Sequence, residues 1–121
     1  MTLKEIAECL EAEIIVDANG LEMEIKIASG SDLMSDVLAF SRPKSLLLTG
    51  LTNPQSVRTA EMSEMVAICF VRGKMPPEET VNLAREKEIP LLLTKLPMFE
   101  SCGKLYGKGL AGSSEYSESK E

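Results

Sequence analysis

Gly50, Arg72, Lys74 and Lys95 are the residues whose types and positions could do chemistry in this chain. They close three short apolar runs: Ser45-Leu46-Leu47-Leu48-Thr49-Gly50, Val66-Ala67-Ile68-Cys69-Phe70-Val71-Arg72-Gly73-Lys74 and Ile89-Pro90-Leu91-Leu92-Leu93-Thr94-Lys95. The apolar part of each run carries no charge, and each run precedes a helix-start signal. In open α/β sheets the carboxyl ends of parallel strands are where ligands bind. Helix N-termini just beyond add free amides and partial positive charge. The candidate anion site is therefore Thr49, Gly50, Thr52 and Asn53 after the first run, Arg72, Gly73 and Lys74 after the second, and Thr94 and Lys95 after the third. Its expected ligand is a nucleotide or another anionic, phosphorylated metabolite. The bland alternative is that these are ordinary wet loop residues, and sequence alone leaves both standing. Walker and dinucleotide glycine patterns are both missing, so any phosphate would be held by a different geometry.

No catalytic constellation accompanies these residues. The chain has no histidine, which removes His-based acid–base chemistry, Cys–His nucleophiles and the usual zinc sets. The 3 cysteines, Cys9, Cys69 and Cys102, are widely spaced and odd in number, which suits a reducing compartment and gives no disulfide framework. Cys69 lies inside an apolar run and Cys102 faces the core by periodicity, so both read as small hydrophobes. Ser29-Gly30-Ser31-Asp32-Leu33-Met34-Ser35-Asp36 could hold a hard cation, but helix capping explains the same residues. No catalytic residue, metal or cofactor is expected.

The elements that must position the site follow from local signals. Buried runs of four to six residues with connecting helices indicate parallel strands covered on both faces. Thr2-Leu3-Lys4-Glu5 is a capping box, followed by Leu3, Ile6, Ala7 and Leu10 on one helical face. Glu13-Ile14-Ile15-Val16 reads as a strand. Leu21 to Ile27 alternates and reads as a half-exposed second strand, either paired with the first in a hairpin or in a separate subelement. Ser29 to Asp32 opens a helix capped by Ser31, with Leu33, Met34, Val37 and Leu38 buried. Asn53-Pro54 is a cap with proline in the first helical position, and Val57, Ala60 and Met62 are expected to face the sheet. Pro76-Pro77-Glu78-Glu79 starts a helix burying Val81, Leu83 and Ala84, its acidic first turn complementing the dipole. Pro97 starts a last helix burying Phe99, Cys102 and Tyr106, with Leu105 beside them.

The chain's 121 residues are 44% hydrophobic, enough for one domain with its own core. The composition predicts a domain over 1–110 and a disordered polar tail over 111–121. Net charge of −6 repels a nucleic-acid backbone, so no nucleic-acid partner is expected. No segment is long enough to span a membrane and the N-terminus lacks a signal-peptide pattern. No membrane partner and a cytoplasmic location are the expectation.

Ser31-Asp32-Leu33-Met34-Ser35-Asp36-Val37-Leu38 and Leu47-Leu48-Thr49-Gly50-Leu51 resemble the DRTGG domain family. The likeness continues through Ile89-Pro90-Leu91-Leu92-Leu93-Thr94 and Phe99-Glu100-Ser101-Cys102-Gly103-Lys104-Leu105-Tyr106, covering nearly all of 1–110. The naming signature is degenerate here, replaced by Thr52-Asn53-Pro54-Gln55-Ser56-Val57-Arg58. The resemblance implies an α/β, three-layer, open and mostly parallel sheet, similar to the N-terminal domain of HPr kinase/phosphorylase. That family brings no catalytic residues to carry over, and the kinase chemistry of that relative lies in a P-loop domain that this chain lacks. Its implied role is a non-enzymatic regulatory or assembly module, homodimeric, serving a metabolic or redox enzyme such as an iron-only hydrogenase. Leu51, Met62, Met65 and Met75 are candidates for the dimer surface. The alternative is a sensor of a nucleotide or phosphorylated metabolite at the strand ends.

Overall fold

Side-chain alternation in the three apolar runs sorts the core into two halves. Leu46, Leu48, Ala67, Cys69, Val71 and Leu92 pack on one face of the sheet. Leu47, Ile68, Phe70 and Leu91 pack on the other. Both faces are buried, as a period of two demands of a strand covered on both sides. In the computed structural model, which describes residues 1–115, these runs are β3 (Leu46–Thr49), β4 (Ala67–Phe70) and β5 (Leu91–Leu93). With β1 (Glu13–Val16) and β2 (Ala28–Gly30) they form a five-stranded sheet in the order β1-β5-β4-β3-β2. Strands β2, β3, β4 and β5 run parallel, and β1 joins β5 antiparallel.

The order β2-β3-β4-β5 steps in one direction. Its three crossover helices, α2 (Met34–Phe40), α3 (Pro54–Met62) and α4 (Glu78–Glu86), therefore cover the same face, where Val37, Val57, Ala60, Val81 and Ala84 meet the sheet. The other face belongs to α1 (Leu3–Cys9) and α5 (Met98–Gly107), through Leu3, Ile6, Leu10 and Leu105. The architecture is the expected three-layer, mostly parallel α/β sheet. The capping box of α1 is present: Thr2 Oγ1 accepts from Glu5 N–H at 3.1 Å, and Glu5 Oε1 accepts from Thr2 N–H at 2.8 Å. Asn53 caps α3 by accepting from Gln55 N–H at 3.0 Å, with Pro54 in the first turn.

Several local expectations change. Residues 21–27 form no hairpin with β1. Their carbonyls instead accept the free amides at the start of α1, Leu3 N–H to Met23 O at 3.0 Å and Lys4 N–H to Leu21 O at 2.9 Å, donors the helix cannot satisfy itself. Ser29 and Gly30 belong to β2 and not to a helix start. α2 begins only at Met34 and has no side-chain cap; Ser31 Oγ turns the chain earlier by accepting from Leu33 N–H at 3.1 Å. Leu33 and Leu38 are exposed, as is Met62, while Met65 is buried and so leaves the candidate dimer surface. On α5, Ser101 and Leu105 face the sheet. Phe99 stands roughly 200° around the helix from Ser101 and is 86% exposed; Tyr106 is 59% exposed. Cys102 is half-buried. The ordered chain also runs past 110. Ala111 forms a parallel bridge to Ile27, and Arg42 donates to Ser113 O at 3.2 Å. The rest of the tail expectation, 116–121, lies outside the described residues.

Candidate functional site

The loops after β4 and β5 leave toward opposite faces, the first to α4 and the second to α5. Such a divergence opens a crevice at the carboxyl edge of a parallel sheet. Here two backbone bonds span it: Arg72 N–H donates to Leu96 O at 2.9 Å and Gly73 N–H to Thr94 O at 2.8 Å. To make them, Arg72 and Gly73 adopt successive left-handed conformations, with φ of 66° and 68°. Glycine does this without strain, whereas a residue bearing Cβ gives up roughly 1–2 kcal/mol. Of the other six non-glycine residues with positive φ, Glu11, Glu64 and Glu88 follow helix ends, where that conformation is the ordinary terminator. Arg72 stands at a strand end.

Arg72 lays its guanidinium across Gly50. A Cβ built at Gly50 would collide with Nη2 and lie 3.1 Å from Cζ. A side chain at position 50 would displace the guanidinium from this position. Gly73 is likewise packed beside Lys95, whose Cγ would lie 3.6 Å from an added Cβ. Gly50, Arg72, Gly73 and Lys95 thus form one surface. Arg72, Lys74 and Lys95 are exposed, and among the described residues none of the three enters an ion pair.

The remaining sequence-predicted residues are committed to the fold. Thr94 is buried; its Oγ1 donates to Leu10 O at 2.7 Å and accepts from Leu96 N–H at 3.2 Å. Thr49 is buried; its Oγ1 donates to Asp32 Oδ1 and accepts from Leu51 N–H, both at 3.1 Å. Thr52 is buried and its carbonyl accepts from Thr80 Oγ1 at 2.7 Å. Asn53 is the α3 cap. Thr52 and Asn53 are thus committed to α4 and α3 respectively.

Asp32 is the residue that sequence reasoning left out of the site. Its Oδ1 accepts from Gly50 N–H at 2.6 Å as well as from Thr49. The Gly50 amide is therefore already taken, by a carboxylate that would repel an incoming anion. Within a serine-rich stretch before a helix, Asp32 resembles a cap, and no local signal separates that role from a bond across to the next strand. Arg72, whose guanidinium lies against Gly50, and Lys95, beside Gly73, are exposed cations of this surface. Among the described residues no group of three or more Cys, Asp or Glu side chains could hold a metal ion. Burial pushes the Cys69 thiol up to about 12, with the nearby Cys102 adding to it, and burial also raises the Cys102 thiol. Neither is an activated thiolate.

No family model and no curated protein matches the sequence. Among solved structures, the fold is similar to the CBS and DRTGG domains of the regulatory region of Clostridium perfringens pyrophosphatase, complexed with its activator diadenosine tetraphosphate. The TM-score is 0.66 at 14% identity; the match covers 86% of this chain and 45% of that one, so this chain spans under half its length. The fold is DRTGG-like, as the sequence resemblance implies. No helix among the described residues is long and apolar enough to cross a membrane.

Proposed function

We propose that this chain is a non-catalytic regulatory module that senses a phosphorylated, anionic metabolite at the ends of β4 and β5. One observation carries the reading. Arg72 is held in a left-handed turn at the divergence of the two loops, and it and Lys95 face solvent without a carboxylate partner among the described residues. The left-handed backbone closes the bonds to Leu96 O and Thr94 O and thereby fixes Arg72 at the strand ends, on the surface it shares with Lys95. The fold neighbour, a regulatory region crystallised with a nucleotide activator, supports the same class of role. The hydroxyls that could act as nucleophiles, Thr49 and Thr94, are buried and bonded on both sides, which supports sensing over turnover. In this reading the module serves a metabolic or redox enzyme and works as a homodimer.

Thermal shift against a panel of mono-, di- and dinucleoside polyphosphates tests the proposal. A ligand at 100 times its Kd stabilises by about 2.7 kcal/mol. The shift should vanish in Arg72→Ala/Lys95→Ala and weaken with salt. A ligand that stabilises the double variant as well as the parent refutes this site, and turnover of any panel member by the isolated chain refutes the non-catalytic reading.

A further inference from the structure

A cavity that the anion site does not use lies at the amino ends of β4 and β5. It holds about 420 Å³, between the turn after β1 and the carboxyl ends of α3 and α4. Its floor is apolar: Met65, Ile89 and Pro90 are buried, and Met23 and Val66 are partly buried. One wall is pinned in place. Ala18 and Asn19 hold φ of 50° and 55°, and Gly20 N–H donates to Asp17 O at 2.9 Å. A Cβ at Gly20 would sit 2.7 Å from Pro90 Cγ, so the turn rests directly on Pro90.

Two helix ends of the same design build the other rim. After α3, Glu64 N–H donates to Glu61 O and Met65 N–H to Ala60 O; after α4, Glu88 N–H donates to Arg85 O and Ile89 N–H to Ala84 O. Each end turns through a glutamate with φ of 57° and then delivers an apolar residue, Met65 or Ile89, to the floor. Glycine or asparagine is the usual residue at such a turn. The carboxyl end of a helix also carries partial negative charge, which favours cations. This molecule instead places Glu61, Glu64, Glu86 and Glu88 at or just past the two ends. Lys87 Nζ pairs with Glu61 at 3.3 Å, whereas Glu64, Glu86 and Glu88 enter no ion pair among the described residues. Glu61, Lys87 and Glu88 line the cavity. Its rim is therefore negative, with two carboxylates and two helix ends set against one ammonium.

We infer that this cavity binds a linear diamine or polyamine. The methylene chain lies on Met65, Ile89 and Pro90, and the ammonium groups meet the carboxylates of Glu61 and Glu88. Charge complementarity argues for the cation, because acidic side chains at two helix ends otherwise repel the helix dipoles. The apolar floor argues for the chain. A bare metal ion gains nothing from that floor, and among the described residues no set of acidic side chains is placed to hold such an ion. A neutral lipid, in turn, leaves the charge of the rim unanswered. The inference does not rest on the anion site, which lies at the opposite, carboxyl ends of the same strands.

The test titrates cadaverine into the full chain, carrying isotopically labelled methionine methyl groups, at physiological salt and follows it by NMR. The Met23 and Met65 methyl resonances should shift saturably, while that of the exposed Met75, in the loop after β4, stays in place. Glu61→Gln/Glu88→Gln, which keeps the size of both side chains, should weaken binding by about 10-fold. Pentanediol has the chain without the charge, and magnesium ion has the charge without the chain; neither should reproduce the shifts. Arg72→Ala/Lys95→Ala should bind cadaverine as the parent does, which distinguishes failure of this site from failure of the anion site. Several results overturn the inference: shifts that do not saturate, a glutamine double variant that binds as the parent does, or a Met75 methyl that moves in step with Met65. Shifts reproduced by magnesium ion assign the rim to general electrostatic attraction, and shifts reproduced by pentanediol assign the floor to neutral ligands; either overturns it too.

Discussion

Thr94→Val separates the strand-end residues committed to the fold from the cations proposed to bind an anion. Thr94 Oγ1 joins β5, the end of α1 and the β5–α5 loop: it donates to Leu10 O and accepts from Leu96 N–H. Valine fills the same space, so no cavity forms, but both partners lose their bond. The site is buried, so water replaces little at the Leu10 carbonyl and somewhat more at the half-buried Leu96. An orphaned buried donor or acceptor costs about 1–3 kcal/mol, which sums here to about 3 kcal/mol. For a chain of this length that lowers Tm by roughly 12 °C. Urea unfolding followed by far-UV circular dichroism gives the free energy directly, with an unchanged m-value certifying the comparison. Thr94→Ser is the control: it keeps the hydroxyl, loses one methyl and should cost only about 1 kcal/mol. A Thr94→Val loss under about 1 kcal/mol, or one equal to that of Thr94→Ser, would refute the assignment of Thr94 to the fold. Arg72→Ala and Lys95→Ala, by contrast, should leave stability within about 0.5 kcal/mol.

Three other outcomes are expected. The Gly112 amide, and then the Tyr106 hydroxyl at 2.7 Å, hold the Glu115 carboxyl below its ordinary 4.5. Docking of 111–115 is therefore favoured above pH 4.5 and weakens as pH falls through the lowered value. The Gly112 amide resonance should report that transition, and Glu115→Gln should abolish it. The bond to Glu115, and its charge, raise Tyr106 above 10, so the same contact is lost again as pH climbs through that raised value. Cys69 should resist iodoacetamide in the native protein at pH 8 and react in urea, as peptide mass spectrometry can show; rapid native labelling would contradict its burial. Finally, Glu88 holds φ of 57° just past α4. Glu88→Gly should relieve that strain and stabilise by about 0.5–1 kcal/mol after the entropy glycine adds to the unfolded chain, a gain that urea titration would detect.

The sequence by itself determined the layers of this protein. Leu46 to Thr49, Ala67 to Phe70 and Leu91 to Leu93 are too short for helices and apolar on both faces, so they had to be buried strands. Thr2, Asn53 and the prolines at 76–77 and 97 mark helix starts through local chemistry that needs no distant partner. The absence of histidine was likewise legible at once. Only the tertiary structure decided which polar residues are free. Thr94 and Lys95 are adjacent in sequence, yet one is locked between α1 and the β5–α5 loop and the other faces solvent. Asp32 looks like a helix cap until β2 lies beside β3 and brings its carboxylate to Gly50. Phe99 and Tyr106 look like core residues until Ser101 and Leu105 set the rotation of α5 against the sheet. The physical reason is common to all three. Local pattern specifies an element and its burial on average, whereas the bonds of a single side chain depend on what the neighbouring strand or helix brings within 3 Å of it. The strand ends were visible as a candidate place for a site, but their division into bonded hydroxyls and solvent-facing cations was written only in the packed molecule.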